Sequence, residues 1–340
     1  MISLCARNCS KCKMKKQFRC KGCSMCAVSV CKCEEKKKKC IVLCPNKFGS
    51  FTLIRKTIDN KMLLSNKKFN FSIYLPVMPD KIYTNFNLTS ADNTIVVRGE
   101  FLLNSKGSEV TGTYKKGFRK ALNLSEETQG LLEFYIKDRA LEGFWDNREK
   151  IYRELKDQKF IGVITPKFSL YEDVPRLEHL YNIQRSKIVY NEMIEAGLPA
   201  ILDISWAMDE DLKYWIKEIN FSKIKTIAFS FMNVDTNSKN GKYWNHYILD
   251  LKTLLDNIDK DIQIIISGLS SVSKIKEVIK MAKNRHITFL HQSAWINSIN
   301  RVSVREKKQL DRNIKKEFIF QNNLDFYIEE YERLMKEYSI

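Results

Sequence analysis

The chain has 340 residues, 58 of them Lys or Arg against 40 Asp or Glu, giving a formal net charge of +18 and a pI near 9.3. With 44% hydrophobic residues it can bury a large core, while only six Pro and twelve Gly argue against a linker-rich disordered protein. No apolar run approaches the roughly 18 residues of a membrane span, so the sequence predicts a cytoplasmic protein without membrane helices, and its charge predicts an anionic partner such as DNA or RNA.

All ten cysteines fall within the first 44 residues: Cys5, Cys9, Cys12, Cys20, Cys23, Cys26, Cys31, Cys33, Cys40 and Cys44. They alternate with Lys, Arg, Glu and Ser in a segment too polar to close an apolar core, so they are ligands or disulfide partners. The absence of an apolar segment before Cys5 favours a reduced compartment and bound metal over disulfides. Two-residue gaps such as Cys9 to Cys12, Cys20 to Cys23 and Cys23 to Cys26 let successive thiolates meet one ion, and two or three zinc ions are expected. An iron–sulfur cluster is the alternative, because Cys5-x3-Cys9-x2-Cys12 has the spacing used by radical S-adenosylmethionine enzymes. Residues 1–50 carry thirteen Lys or Arg against Glu34 and Glu35, which is +11 of the total. Lys36, Lys37, Lys38 and Lys39 either offset thiolate charge or contact phosphate.

Residues 1–50 therefore read as a small Cys-rich metal-binding module. After it come apolar stretches at 51–55, 69–77 and 94–103 that read as strands, and a short helix or turn at 115–124. From 131 onward short apolar runs alternate with longer amphipathic ones. Strands are predicted at 131–137, 160–165, 199–204, 226–231, 262–267 and 287–290, and helices at 139–157, 175–196, 209–219, 243–258 and 271–283. The helix at 175–196 begins at Pro175 and stops at Gly197. Six strand–helix units plus the strands at 71–77 and 95–103 make eight, so the predicted α/β fold is a (β/α)8-like barrel over 51–302, irregular in its first quarter. An open doubly wound sheet is the alternative, but no Gly-rich phosphate loop follows a strand. Residues 303–340 form a charged helical segment with Phe318, Phe320, Leu324, Phe326, Tyr327 and Tyr331 as its packing face.

Barrel enzymes set their reacting groups at the carboxyl ends of strands. The residues there are Asp138, then Lys167, Ser169 and Asp173, then Asp203 and Ser205, then Ser230 and Asn233, then Ser267, and finally His291 and Gln292. Asp138 stands four residues before Glu142 and can also cap a helix. The long polar and aromatic loop from Thr165 to Pro175, followed by Asn182 and Arg185, has the make-up of a binding loop. Asp203 interrupts an apolar strand, where a carboxylate must be paired or face the barrel mouth. His179 and His246 fall on helices; His291 ends a strand and is the histidine retained. The candidate catalytic set is Asp203, Asp173, Asp138 and His291, and the candidate substrate-binding set is Lys167, Phe168, Ser169, Tyr171, Asn182, Arg185 and Trp206.

The stretches Leu141-Glu142-Gly143-Phe144-Trp145, Thr165 to Asp173, the helix through Asn182 and Arg185, and Ala196-Gly197-Leu198-Pro199-Ala200 resemble a family of functionally uncharacterised proteins from bacteria, phages and mobile elements. The likeness runs over roughly 130–300, and the cysteine cluster resembles longer members. More remotely the layout is similar to tRNA-guanine transglycosylase-type barrels. That resemblance implies attack on a nucleotide's anomeric carbon by an Asp, although here the cysteines are N-terminal and the Asp-Ser-Gly-Gly-Phe stretch is absent. The leading expectation is nucleic-acid base modification or exchange, with paired carboxylates as nucleophile and acid and Phe168, Tyr171 and Trp206 as walls for a flipped base. A non-enzymatic, zinc-dependent module binding nucleic acid or a protein partner is the alternative from another class.

Overall fold

The computed structural model describes residues 61–63, 65, 67–78, 93–170, 176–232 and 242–338. The ten cysteines, the predicted strand at 51–55, Tyr171, Asp173 and Asn233 lie outside them.

Eight parallel strands form one sheet: β1 (Tyr74–Pro76), β2 (Thr94–Arg98), β3 (Gln129–Glu133), β4 (Gly162–Ile164), β5 (Ala200–Ile204), β6 (Thr226–Ser230), β7 (Gln263–Ser267) and β8 (Ile287–His291). Their order is β1-β8-β7-β6-β5-β4-β3-β2. The ends of that row meet through a parallel bridge between Val77 and Val96 and the bond from Met78 N–H to the Val96 carbonyl at 2.9 Å. The sheet is thus a nearly closed, irregular (β/α)8 barrel.

Closure follows from where the apolar side chains go. Leu75, Val77, Val96, Leu131, Ile164, Ile201, Ala228, Ile265 and Leu290, one or two from each strand, meet on the barrel axis. Phe69 and Phe71 stack at 5.2 Å and join this inner cluster from the stretch before β1. Each of the larger side chains contributes roughly 1.5–3 kcal/mol by leaving water. The alternate residues of the strands, among them Val97, Leu132, Leu202, Phe229, Ile266 and Phe289, face the helices in a second, larger core.

The helix Asp138–Lys156 shows why the outer layer forms. Leu141, Phe144, Trp145, Ile151, Tyr152 and Leu155 are buried at helical spacing. Gly143 lets this helix ride directly over the Lys106 carbonyl, where any Cβ would collide with that oxygen. The helix Arg176–Glu195 stops at Gly197, whose φ of 77° allows Leu198 N–H to return to the Met193 carbonyl at 2.9 Å.

Two expectations need correction. The apolar run at 94–103 is not one strand: β2 ends at Arg98 and Gly99–Leu102 turn into a short helix, with Leu103 N–H bonding the Gly99 carbonyl at 2.9 Å. A side chain at residue 99 would strike the Phe134 ring, so the chain turns where glycine permits contact with the layer behind. The terminal segment is a small hairpin, Val302–Ser303 against Lys308–Gln309, followed by the helix Lys316–Tyr338. In that helix Phe320, Leu324, Tyr327 and Tyr331 face inward at i, i+4, i+7 and i+11, whereas Phe318 lies off the stripe and is 60% exposed. Tyr327 and Tyr331 pack on Tyr74 of β1 and His291 of β8, so this helix covers the seam between the first and last strands.

Candidate active site at the barrel mouth

Because residues alternate between axis and helices, parity decides which strand-end groups reach the mouth. Asp203 shares parity with Ile201, Ser230 with Ala228, Ser267 with Ile265, Arg98 with Val96, and Glu133 and Tyr135 with Leu131. All six therefore stand above the apolar inner layer. Arg98 pairs with Glu133, and Ser230 with Ser267, in the strand registers. Lys167, just past β4, crosses the opening and donates from Nζ to the Ser230 carbonyl at 2.9 Å. Above these groups lies a cavity of about 280 Å³ bounded by Arg98, Glu100, Tyr135, Lys137, Lys167 and Ser169.

Asp203 is 1% exposed. Its backbone N–H is held by Thr165 Oγ1 at 2.9 Å, which ties the end of β4 to β5 and fixes the carboxylate's position. Among the described residues neither carboxylate oxygen completes a hydrogen bond, and the same is true of Tyr135 Oη and Ser267 Oγ. The Tyr135 hydroxyl interacts electrostatically with Asp203 and lies within influence of Ser267. Enclosed polar atoms without partners are costly to folding, and at the barrel mouth several of them stand together.

Burial raises the Asp203 carboxyl from 3.8 to about 7, against the pull of the Lys167 ammonium and the Tyr135 hydroxyl. Burial likewise lifts Glu133 to about 8; Arg98 opposes this and Asp203 adds to it. Arg98 itself contacts Glu100 at 2.8 Å and Glu133 at 3.9 Å. The Lys167 amine is pushed below its ordinary value by burial, partly countered by Asp203. The Tyr135 phenol is driven well above its usual range, first by burial and then by Asp203. Two carboxyls that titrate near neutrality, beside a phenol that keeps its proton, can move protons to and from a bound molecule at physiological pH.

The other sequence candidates are placed differently. Asp138 accepts from Ser169 Oγ at 2.7 Å, and Asn182 Nδ2 donates to the Ser169 carbonyl at 2.7 Å. Arg185 donates to Glu142 Oε1 at 2.7 Å and to Asn182 Oδ1 at 2.6 Å, with its guanidinium 4.0 Å from the Phe168 ring centre. This is a bracket that fixes the loop after β4, and the space among these groups is about 10 Å³, no more than one water. Phe168 and Trp206 are 1% and 2% exposed. Trp206 stacks on Phe229 at 4.5 Å and donates to Asp250 Oδ2 at 2.8 Å, so neither ring is a free wall for a base. His291 has the parity of Phe289 and points outward. Ser293 N–H donates to its Nδ1, so Nε2 carries the proton toward Tyr331 Oη at 2.8 Å, and burial lowers its pKa to about 3. A permanently neutral imidazole behind the sheet is a packing group and is not at the mouth.

Reading the strand ends from sequence misses Arg98, Glu133 and Tyr135. The argument that singles out Asp203, a carboxylate inside an apolar strand, applies equally to Glu133 in Leu131-Leu132-Glu133-Phe134. Among the described residues no group of three or more His, Cys, Asp or Glu is arranged to hold a metal ion, and no helix is long and apolar enough to cross a membrane.

Residues 105–297, more than half of the chain, match the family described as a domain of unknown function, DUF4417. The chain belongs to that family. The matched span runs from before β3 to beyond β8 and so contains Glu133, Tyr135, Lys167, Asp203, Ser230 and Ser267, while Arg98 precedes it. The chain is also similar to the "Gene 1 protein" of Mycobacterium phage L5, with 24% identity over 123 residues, 36% of this chain and 52% of the phage protein. It thus spans about half the length of that relative. The phage association agrees with the resemblance seen in the sequence.

Proposed function

We propose that this DUF4417 protein is a barrel enzyme of phage or mobile-element type that modifies or exchanges a base in nucleic acid, with Asp203 taking up and returning the proton. The observation that carries the reading is the Asp203 carboxyl: enclosed in the mouth, without a hydrogen bond to its oxygens from any described residue, and titrating near 7. A side chain serving only the fold would have been satisfied or replaced by an apolar one of similar volume, because burying an ionised carboxylate costs on the order of several kcal/mol. Similarity to a phage protein and the net charge of +18 favour nucleic acid as the substrate class. The N-terminal cysteines would hold zinc and, with the surrounding lysines, bring the polyanion to the mouth.

The test is nucleoside composition. DNA and RNA from cells expressing the parent chain should contain an altered nucleoside by mass spectrometry that is missing from cells expressing Asp203→Asn. Identical nucleoside profiles in both nucleic acids would refute base modification and leave a binding role.

The contribution of the basic module is measured separately. Replacing Lys36, Lys37, Lys38 and Lys39 with Gln should weaken binding to duplex DNA. The slope of log affinity against log salt should become shallower by about 0.9 for each phosphate that the module no longer neutralises. An unchanged slope with altered metal content would assign those lysines to thiolate charge instead.

A further inference from the structure

The geometry points to Lys167 as an imine-forming nucleophile for the aldehyde carbon of an open-chain pentose bound in the mouth cavity. This deepens the reading of the mouth as an active site and rests on it, adding the covalent step and the part of the substrate that is attacked.

Three observations carry it. Lys167 lines a cavity of about 280 Å³, and its Nζ makes a single hydrogen bond among the described residues, to the Ser230 carbonyl, with the Phe229 ring centre 5.7 Å away. A main-chain carbonyl fixes the amine without neutralising it, unlike Lys187, which is held at 2.8 Å by Glu218. The Tyr135 hydroxyl group, just past β3 on a residue that lines the cavity, and the Asp203 carboxyl, buried at the end of β5, complete no hydrogen bond among the described residues and are close enough to influence one another's charge. Desolvation pushes the amine toward its neutral, nucleophilic form.

The step balances with these groups alone. The Nζ lone pair forms a bond to the aldehyde carbon, and the C=O π pair moves to oxygen, which takes a proton from Asp203. The resulting ammonium returns a proton to the Asp203 carboxylate. Protonation of the carbinolamine hydroxyl by that acid, with Tyr135 donating a hydrogen bond to the departing oxygen, expels water and leaves a protonated C=N bond, whose N–H proton returns to the Asp203 carboxylate. One amine and one aldehyde give one imine and one water, with no oxidant or reductant. Arg98 and Lys137 stand at the rim, each paired with Glu100 at 2.8 and 3.7 Å, and a pentose that carries phosphate, free or within a strand, would take up these cations in place of that carboxylate.

The experiment is borohydride trapping on the full-length protein with two probes, 2-deoxyribose 5-phosphate and an oligonucleotide containing one abasic position. Reduction should add the mass of one probe less one oxygen, and peptide mapping should place the adduct on Lys167 ahead of the surface lysines. Lys167→Arg keeps the charge but cannot form the imine and should lose at least nine-tenths of that labelling. Adduct from the oligonucleotide alone identifies the sugar as part of DNA, and adduct from the small sugar alone identifies a free pentose. Labelling spread over surface lysines, equal in the parent and Lys167→Arg, or no labelling with either probe, overturns the inference. If labelling fails while Asp203→Asn still abolishes the nucleoside change, the mouth remains the active site and only the covalent step falls. Mapping on the parent chain answers the question even if Lys167→Arg does not fold.

Discussion

At pH 8 Asp203→Asn should unfold several degrees higher than the parent chain, and at pH 4 the two midpoints should converge. The folded Asp203 carboxyl titrates near 7 against 3.8 for the free group. Between about pH 4 and pH 7 the folded chain retains a proton that the unfolded chain has released, so this group's contribution falls as pH rises and is flat above 7. The difference between those two values corresponds to roughly 4 kcal/mol at most. Asn has nearly the same shape and no charge to bury, so it escapes the penalty. Glu133, raised from 4.5 to about 8, adds a contribution of the same sign. Thermal melts from pH 4 to 9 measure this, and a lower midpoint for Asp203→Asn at pH 8 would mean that the carboxylate is a structural partner.

Arg185→Lys should lower the unfolding free energy by about 2–4 kcal/mol, with little dependence on ligand. The Arg185 side chain is 3% exposed, forks onto Glu142 and Asn182, and lies over Phe168. A lysine can supply one of those interactions but neither the fork nor the planar group. Denaturant titration reads the loss. A variant as stable as the parent would show that the bracket is dispensable and return Arg185 to the substrate-binding set.

These outcomes separate what can be read along the chain from what cannot. The positions of β3 to β8 and of the helices between them follow from run length, because a barrel strand is short and apolar and its covering helix long and amphipathic. Asp203 and Lys167 are visible as polar residues at strand ends. The inward parity of each strand is not, since strands buried on both faces lose the alternation that would distinguish axis from helix side. That is why His291, one residue past inward Leu290, and the aromatic Phe168 and Trp206 read as mouth groups in the sequence. Arg98 is hidden because the apolar run through Leu103 masks the end of β2 at Gly99, and Glu133 because it lies in the middle of a predicted strand.

The seam between β1 and β8 also bears on biosynthesis. Tyr74 pairs with Phe289, so more than 200 residues must leave the ribosome before the first strand, which touches β2 only through the Val77–Val96 bridge, meets its ladder partner β8. The helix that seals this junction, Lys316–Tyr338, follows every barrel strand in the chain. During translation β1 therefore offers an unpaired edge to other nascent chains, and the long loop that must close makes barrel completion a slow, late event. The protein should thus depend on chaperones at high expression rates, with slower synthesis or cooler growth favouring the closed barrel over aggregates.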